Sequence, residues 1–192
     1  MNIRFVEAHK TKDYKKINEL YLKAFPVEER VPFWLLKWKS KTVNTHFYSI
    51  YDDETWVGFI YFIVFNDFLF ILFFAIDENY RSKGYGSEII NKIKDMYVGC
   101  NIVLNTEVVD ENAPNNADRI RRRRFYDKLG FTETGYRITV RNKIVFDYLL
   151  CGESFEPDDF IALVKRYVGP VLWFLLGMEK HYKNSIKRRD DE

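Results

Sequence analysis

Between Phe59 and Ile76 the chain is apolar at every position except Asn66 and Asp67, and few backbones accept such a run. A membrane helix would set both polar residues at mid-bilayer, at a cost of several kcal/mol. Asn-Asp between β-branched and aromatic runs is turn chemistry instead, so residues 55–65 and 68–76 read as two buried strands of a hairpin. The later apolar run, residues 171–178, falls short of the ~20 residues that spanning requires. No membrane partner is expected.

At 192 residues the chain holds about one domain of ~150 residues with a short appendage. Its 47% hydrophobic content supplies a real core. A formal charge of +2 gives no global field that would argue for nucleic acid or an anionic membrane. Two cysteines, Cys100 and Cys151, cannot build a disulfide framework. The N-terminus has no apolar stretch of signal-peptide type, and the expected compartment is reducing and cytoplasmic.

The remaining pattern predicts a strand over residues 3–8 and a helix carrying Ile17, Leu20 and Tyr21 that ends at Pro26. A second helix opens with Pro32 in its first turn, and a strand over 45–51 precedes the hairpin. Helical spacing at Glu88, Ile89, Ile90, Ile93 and Met96 follows, then a strand over 101–109, a polar loop over 110–116 and an arginine-rich helix ending at Gly130. Strands over 131–140 and 143–150 close a hairpin around Arg141-Asn142. The order is β-α-α-β-β-β-α-β-α-β-β, a mixed α/β domain over residues 1–152. Residues 153–192 read as a C-terminal helical extension packed on that domain, with one helix from Pro157, a break at Gly169-Pro170, another helix around Trp173 and a frayed charged end at 187–192. Its apolar helices could instead cover a second copy in a homodimer.

Gly84 and Gly86 stand between a buried strand and a helix. Successive backbone N–H groups there, with the free donors of the helix start, make an anion site, and Arg81 and Lys83 add positive charge. A glycine turn that only caps the helix is the plainer alternative. The spacing is neither GxxxxGK nor GxGxxG, which argues against a nucleoside triphosphatase and a Rossmann fold.

Arg81-x-x-Gly84-x-Gly86, followed one strand and one helix later by Phe125-Tyr126-Asp127-Lys128-Leu129-Gly130-Phe131, resembles the GCN5-related N-acetyltransferase family. The element order over residues 3–150 is similar to that fold too, a mostly antiparallel central sheet flanked by helices (the acyl-CoA N-acyltransferase fold). The resemblance implies transfer of an acetyl group from acetyl-CoA to an amine of a small molecule or peptide, by direct attack within a ternary complex. It implies a pyrophosphate on the amides of Ser82, Lys83, Gly84, Tyr85, Gly86 and Ser87, and a pantetheine arm along the backbone of Phe74, Ala75 and Ile76, admitted where the strands over 68–76 and 101–109 splay.

An alkyl amine with pKa ~10.4 is mostly protonated at pH 7, so the transfer needs a proton sink. Glu107 lies on one strand face with Val103, Asn105 and Val109 and matches the strand that carries the family's glutamate base. A carboxylate paired with a nearby arginine is the alternative. Tyr126 aligns with the tyrosine that protonates the departing thiolate in the family, or is an ordinary packed tyrosine. Phe125, Leu129 and Phe131 belong to the core. The sequence departs from the family pattern at Arg119, where many members carry asparagine, and in the long loop over 110–116.

Arg119 and Arg121 to Arg124 cannot share one helix face at 100° per residue. They serve coenzyme A phosphates or a charged acceptor, or form a solvated face with ion pairs. RNA binding lacks a stacking platform. Glu28 and Glu29, between the first two helices, could attract a cationic amine or be surface charge alone. His9, His46 and His181 lack ligand spacing, so no metal site is expected. The rival function is a non-catalytic acyl-CoA sensor or interaction module that keeps the phosphate loop and lacks the base.

Overall fold

The apolar run folds as a hairpin. Its strands, β3 (Thr55–Phe65) and β4 (Phe68–Ile76), pair antiparallel with Phe65 opposite Phe68. Asn66 takes φ 53°, a conformation asparagine tolerates better than most residues. Both strands have the bounds the sequence predicts. The structure, a computed structural model, describes residues 1–140, 144–154, 156–169 and 179–182. The chain divides into two units, Met1–Val103 and Leu104–Glu192.

In the first unit β1 (Ile3–Glu7) and β2 (Thr45–Asp52) extend the hairpin in the order β1-β2-β3-β4, every pair antiparallel. β1 stops one residue early, because Ala8 turns into a 3-10 segment. Ile50, Val57, Ile60, Tyr61, Phe62 and Leu69 are wholly buried in this sheet. At Gly58 the strands approach so closely that a Cβ would lie 2.3 Å from the Ala75 carbonyl oxygen, so only glycine fits there.

The helices around Ile17 and Ile89 bury the stripes that their spacing predicts, except that Met96 is exposed, as are Trp34 and Trp38 in the helix between them. α1 (Tyr14–Ala24) buries Ile17, Leu20 and Tyr21, and the Tyr21 ring meets Phe73 edge-on at 5.0 Å. It ends because Pro26 drives Phe25 into extended backbone, φ −121° and ψ 131°. α2 (Phe33–Lys39) buries Leu35 and Leu36, and Pro32 stands just outside it as the cap instead of inside the first turn. α3 (Tyr85–Met96) buries Ile89, Ile90 and Ile93.

Asp13, 5% exposed, joins the start of α1 to β2. It accepts hydrogen bonds from the Ser49 hydroxyl at 2.9 Å and from the Tyr51 hydroxyl. Burial pushes its carboxyl up, but the hydroxyls of Tyr51, Ser49 and Thr11 together hold it below the ordinary value of 3.8. The partner phenol of Tyr51 is pushed up to about 12 by burial and by Asp13.

β5 (Asn101–Glu107) carries the chain into the second unit, where α4 (Asn116–Lys128), β6 (Thr132–Val140), β7 (Ile144–Cys151), α5 (Pro157–Val168) and β8 (Glu179–Tyr182) follow. β6 pairs antiparallel with β7 and with β8. α5 begins with Pro157 in its first turn and buries Phe160, Ile161, Leu163 and Val164, with Phe160 against Tyr148 at 4.9 Å.

Two further expectations change. β5 ends at Glu107, not Val109: the Val108 carbonyl accepts from Arg119 at 2.8 Å, and Val109 is exposed. The extension over 153–192 is not helical throughout, since Glu179–Tyr182 forms a strand whose backbone groups pair with β6. The hairpin turn at Arg141-Asn142, the helix around Trp173 and the tail over 187–192 lie outside the described residues. Among the described residues no helix is long and apolar enough to cross a membrane.

Asp13→Ala should cost about 1–3 kcal/mol in urea denaturation, because two hydroxyl donors lose their acceptor. Its depressed carboxyl fixes the sign with pH: the contribution is fully present above 3.8 and is lost as pH falls through the folded value. The variant should therefore lose less stability on acidification than the native chain does.

Candidate active site

In the first unit the segment after β4 is shaped by local hydrogen bonds. The Asp77 carboxylate accepts from the Asn79 amide at 3.0 Å and opens a 3-10 turn over Glu78–Tyr80. Arg81 then reaches back, its Nε donating to the Ile76 carbonyl at 2.9 Å, which pins the loop to the strand end. Ser82 and Gly84 both take left-handed backbone, φ 60° and 88°. At Gly84 the added Cβ of another residue would have room, its nearest neighbour being Met1 Cε at 3.5 Å. The glycine is therefore required by the positive φ and not by space.

α3 starts from Gly84 with no side-chain cap. Its first helical bond runs from the Glu88 amide to the Gly84 carbonyl at 3.1 Å, so the N–H groups of Tyr85, Gly86 and Ser87 have no intrahelical acceptor. Arg81, Ser82, Lys83 and Gly84 are exposed, and Tyr85, Gly86 and Ser87 half-buried. Uncapped donors, a helix dipole and two cationic side chains fit a phosphate or pyrophosphate. Tyr85 anchors this start by donating to Asp52 at 2.8 Å, and that bond raises its phenol and lowers the Asp52 carboxyl.

Phe74, Ala75 and Ile76 pair with β3 opposite Ile60, Phe59 and Gly58. Ala75 is buried, while Phe74 and Ile76 are half-buried. The turn holding Glu28 and Glu29 is fixed by Arg30, which donates to the carbonyls of Phe25 and Leu22, both at 2.6 Å. Tyr21 clamps its far end through Val31. Glu28 is exposed and Glu29 half-buried.

Beside the loop, Lys16, Lys23, Trp56, Asp77, Tyr80 and Arg81 line part of a groove of about 360 Å3. The buried indole N–H of Trp56 has no acceptor among the described residues. Sequence reasoning missed this residue because a tryptophan inside a strand pattern carries no mark of a groove.

In the second unit Glu107, 9% exposed, sits at the end of β5. Arg119 donates to its Oε1 at 3.0 Å and Arg122 to its Oε2 at 3.1 Å. Asn115 Nδ2 spans both oxygens at 3.3 and 3.4 Å. These contacts engage the roughly four lone-pair positions of a carboxylate. The arginine-paired alternative thus describes the geometry of Glu107. Asn115 went unremarked in the sequence, and which members of the arginine run meet Glu107 was left open, although the i, i+3 spacing of Arg119 and Arg122 behind a strand carboxylate was the available signal.

Arg121 pairs with Asp118 at 2.9 Å, and Arg123 with Asp127 and Glu133. Arg124 is exposed with no polar partner among the described residues. The arginine run is thus mainly an ion-pair network.

The Leu129-Gly130-Phe131 end of the second motif closes α4. Gly130, at φ 78°, donates to the Asp127 carbonyl at 3.0 Å and Phe131 to the Tyr126 carbonyl at 3.1 Å, the double bond pattern of a Schellman cap. The same turn sets Phe131 edge-on against Tyr126 at 5.5 Å and fixes that tyrosine, 8% exposed. Burial pushes its phenol up to about 12, with Arg122 pulling weakly the other way. The Tyr126 hydroxyl makes no hydrogen bond among the described residues. Leu129 and Phe131 are buried as expected, and Phe125 is half-buried. Cys100 and Cys151 are half-buried free thiols. Among the described residues no three His, Cys, Asp or Glu side chains gather to hold a metal ion.

The acetyltransferase (GNAT) family profile matches residues 14–131, and the chain belongs to that family of acetyltransferases. A GNAT-family structure from Bacteroides thetaiotaomicron is similar at 22% identity and TM-score 0.70, over 93% of this chain and all of that one. An aminoglycoside 6'-N-acetyltransferase complexed with coenzyme A gives 16% and 0.63, over 82% of this chain and all of that one. Arabidopsis thaliana NAA60 in complex with acetyl-CoA gives 13% and 0.56, over 78% and 96% of the respective chains. At these identities the likeness is one of fold. No curated protein sequence matches the chain.

Arg119→Ala should destabilise the protein by about 1–3 kcal/mol in denaturant titration, since Glu107 and the Val108 carbonyl both lose a donor. Arg121→Ala, whose ion pair is exposed, should change stability by less than about 0.5 kcal/mol.

Proposed function

We propose that this protein transfers the acetyl group of acetyl-CoA to a primary amine of a small molecule or peptide, by direct attack in a ternary complex. The observation that carries the reading is the uncapped start of α3 behind the left-handed Ser82 and Gly84. When bound, acetyl-CoA supplies a thioester carbonyl that an unprotonated amine attacks, with the thiolate as leaving group.

The chain's residues take the following parts. The amides of Tyr85, Gly86 and Ser87, with Ser82, Lys83 and Arg81, bind the pyrophosphate, and the backbone of Phe74, Ala75 and Ile76 aligns the pantetheine arm. Glu107 takes the proton that the amine loses as the new N–C bond forms. To do so it must release the two longest of its contacts, those from Asn115. Tyr126, protonated because its phenol stands near 12, gives its proton to the sulfur as the C–S bond breaks. Glu28 and Glu29 attract the positively charged amine. Cytoplasmic residence and homodimer formation belong to the same proposal.

A second reading, an acyl-CoA-binding module without turnover, draws on the full engagement of Glu107. A broad amine panel with acetyl-CoA, read by product mass, separates the two. Transfer is expected with at least one amine, whereas tight coenzyme A binding with no product from any would favour the module.

Tyr126→Phe should lower kcat by about 10²–10⁴-fold, the usual worth of a positioned proton donor. Its elevated phenol gives a sign with pH: loss of the Tyr126 proton should not limit the native rate between pH 7 and pH 10. An unchanged kcat in the variant would remove Tyr126 from the mechanism.

A further inference from the structure

The two arginines on Glu107 are used differently. Arg119 commits all three nitrogens: Nε to Asn115 Oδ1 and Nη1 to the Val108 carbonyl, both at 2.8 Å, and Nη2 to Glu107 Oε1 at 3.0 Å. Arg122 commits one, its Nη1 on Glu107 Oε2 at 3.1 Å. Its side chain is 43% exposed against 19% for Arg119. A guanidinium carries five N–H donors in a rigid fork, and the Nε and Nη2 edge of Arg122 has no partner among the described residues.

We infer that this free edge is a specificity-determining contact that grips a carboxylate on the acceptor, so that the preferred acceptors are amines bearing an acidic group. The inference rests on the acetyl-transfer reading above. Three observations support it. The guanidinium fork matches an oxyanion in a two-bond arrangement that a lysine cannot reproduce. Glu107 already holds one end of Arg122, so the free edge is oriented before the ligand arrives. The immediate charge is one positive in excess, two guanidinium groups against the Glu107 carboxylate. A polycation gains nothing from that excess, and an acidic amine neutralises it. Arg119 is the poorer choice, because each of its three nitrogens already donates and its side chain is only 19% exposed.

Phosphate oxygens of coenzyme A offer the same chemistry, and the test distinguishes the two sources. Calorimetry would compare native protein, Arg122→Gln and Arg122→Lys. Coenzyme A and 3'-dephospho-coenzyme A are titrated first, then a panel of free amino acids and their carboxamides into coenzyme A-loaded protein. The expected result is about a tenfold or greater loss of affinity for the acid member of a pair in Arg122→Gln. The carboxamide and both cofactor forms should bind unchanged, and Arg122→Lys should recover part of the loss.

Weakened binding of coenzyme A alone, with 3'-dephospho-coenzyme A unaffected, would assign the edge to the cofactor and overturn the acceptor role. Equal binding of every probe by Arg122→Gln, or no binding of any panel member by native protein, would also overturn it. Should Arg122→Gln fail to fold, Arg122→Lys still decides, because an unaltered preference for acid over carboxamide contradicts a bidentate grip. Product mass reports separately on the parent reading: native protein that binds acids through Arg122 yet acetylates no amine refutes acetyl transfer and keeps the contact.

Discussion

A helix that begins without a cap leaves donors that something must satisfy, and α3 begins that way. Its first N–H groups follow Gly84 and Ser82, both in left-handed backbone. Holding a serine there costs roughly 1–2 kcal/mol. Arg81 on the Ile76 carbonyl and Tyr85 on Asp52 hold the segment against relaxation. The close approach of β3 to β4 at Gly58 sets the strand end from which the loop departs. Left-handed backbone, uncapped donors and added positive charge thus coincide on a few residues, and the proposed pyrophosphate site rests on that coincidence.

The second unit solves a different problem, a buried carboxylate. Glu107 is held by two arginines and an asparagine, and α4 is docked to the end of β5 through those contacts. The Schellman turn at Gly130 ends that helix and lays Phe131 against Tyr126. The motif that names the family in the sequence is, physically, a helix stop that orients one phenol. Burial raises that phenol to about 12 and so keeps it protonated at neutral pH, as the proposed proton donation needs.

Much of the frame could be read from the residues. The hairpin of β3 and β4 followed from unbroken apolar runs around Asn66-Asp67, and α1 and α3 from apolar spacing at Ile17, Leu20 and Tyr21 and at Ile89, Ile90 and Ile93. What escaped was set by tertiary contacts. Val109 alternates like a strand residue, but Arg119 claims the carbonyl before it. Glu179–Tyr182 carries no alternation and becomes a strand only because β6 offers an edge. At the site, Gly84 and Gly86 announced the loop, while the partners of Glu107 depended on which arginines of a crowded helix face the strand. Trp56 looked like one more strand aromatic.

The central claim is that main-chain donors around Gly84 grip a diphosphate, and calorimetry with coenzyme A and with pantetheine, which lacks the pyrophosphate, tests it most directly. With several charge-assisted bonds contributing ~1.5–3 kcal/mol each, pantetheine should bind at least about a hundredfold more weakly. Equal affinity for the two would contradict the account.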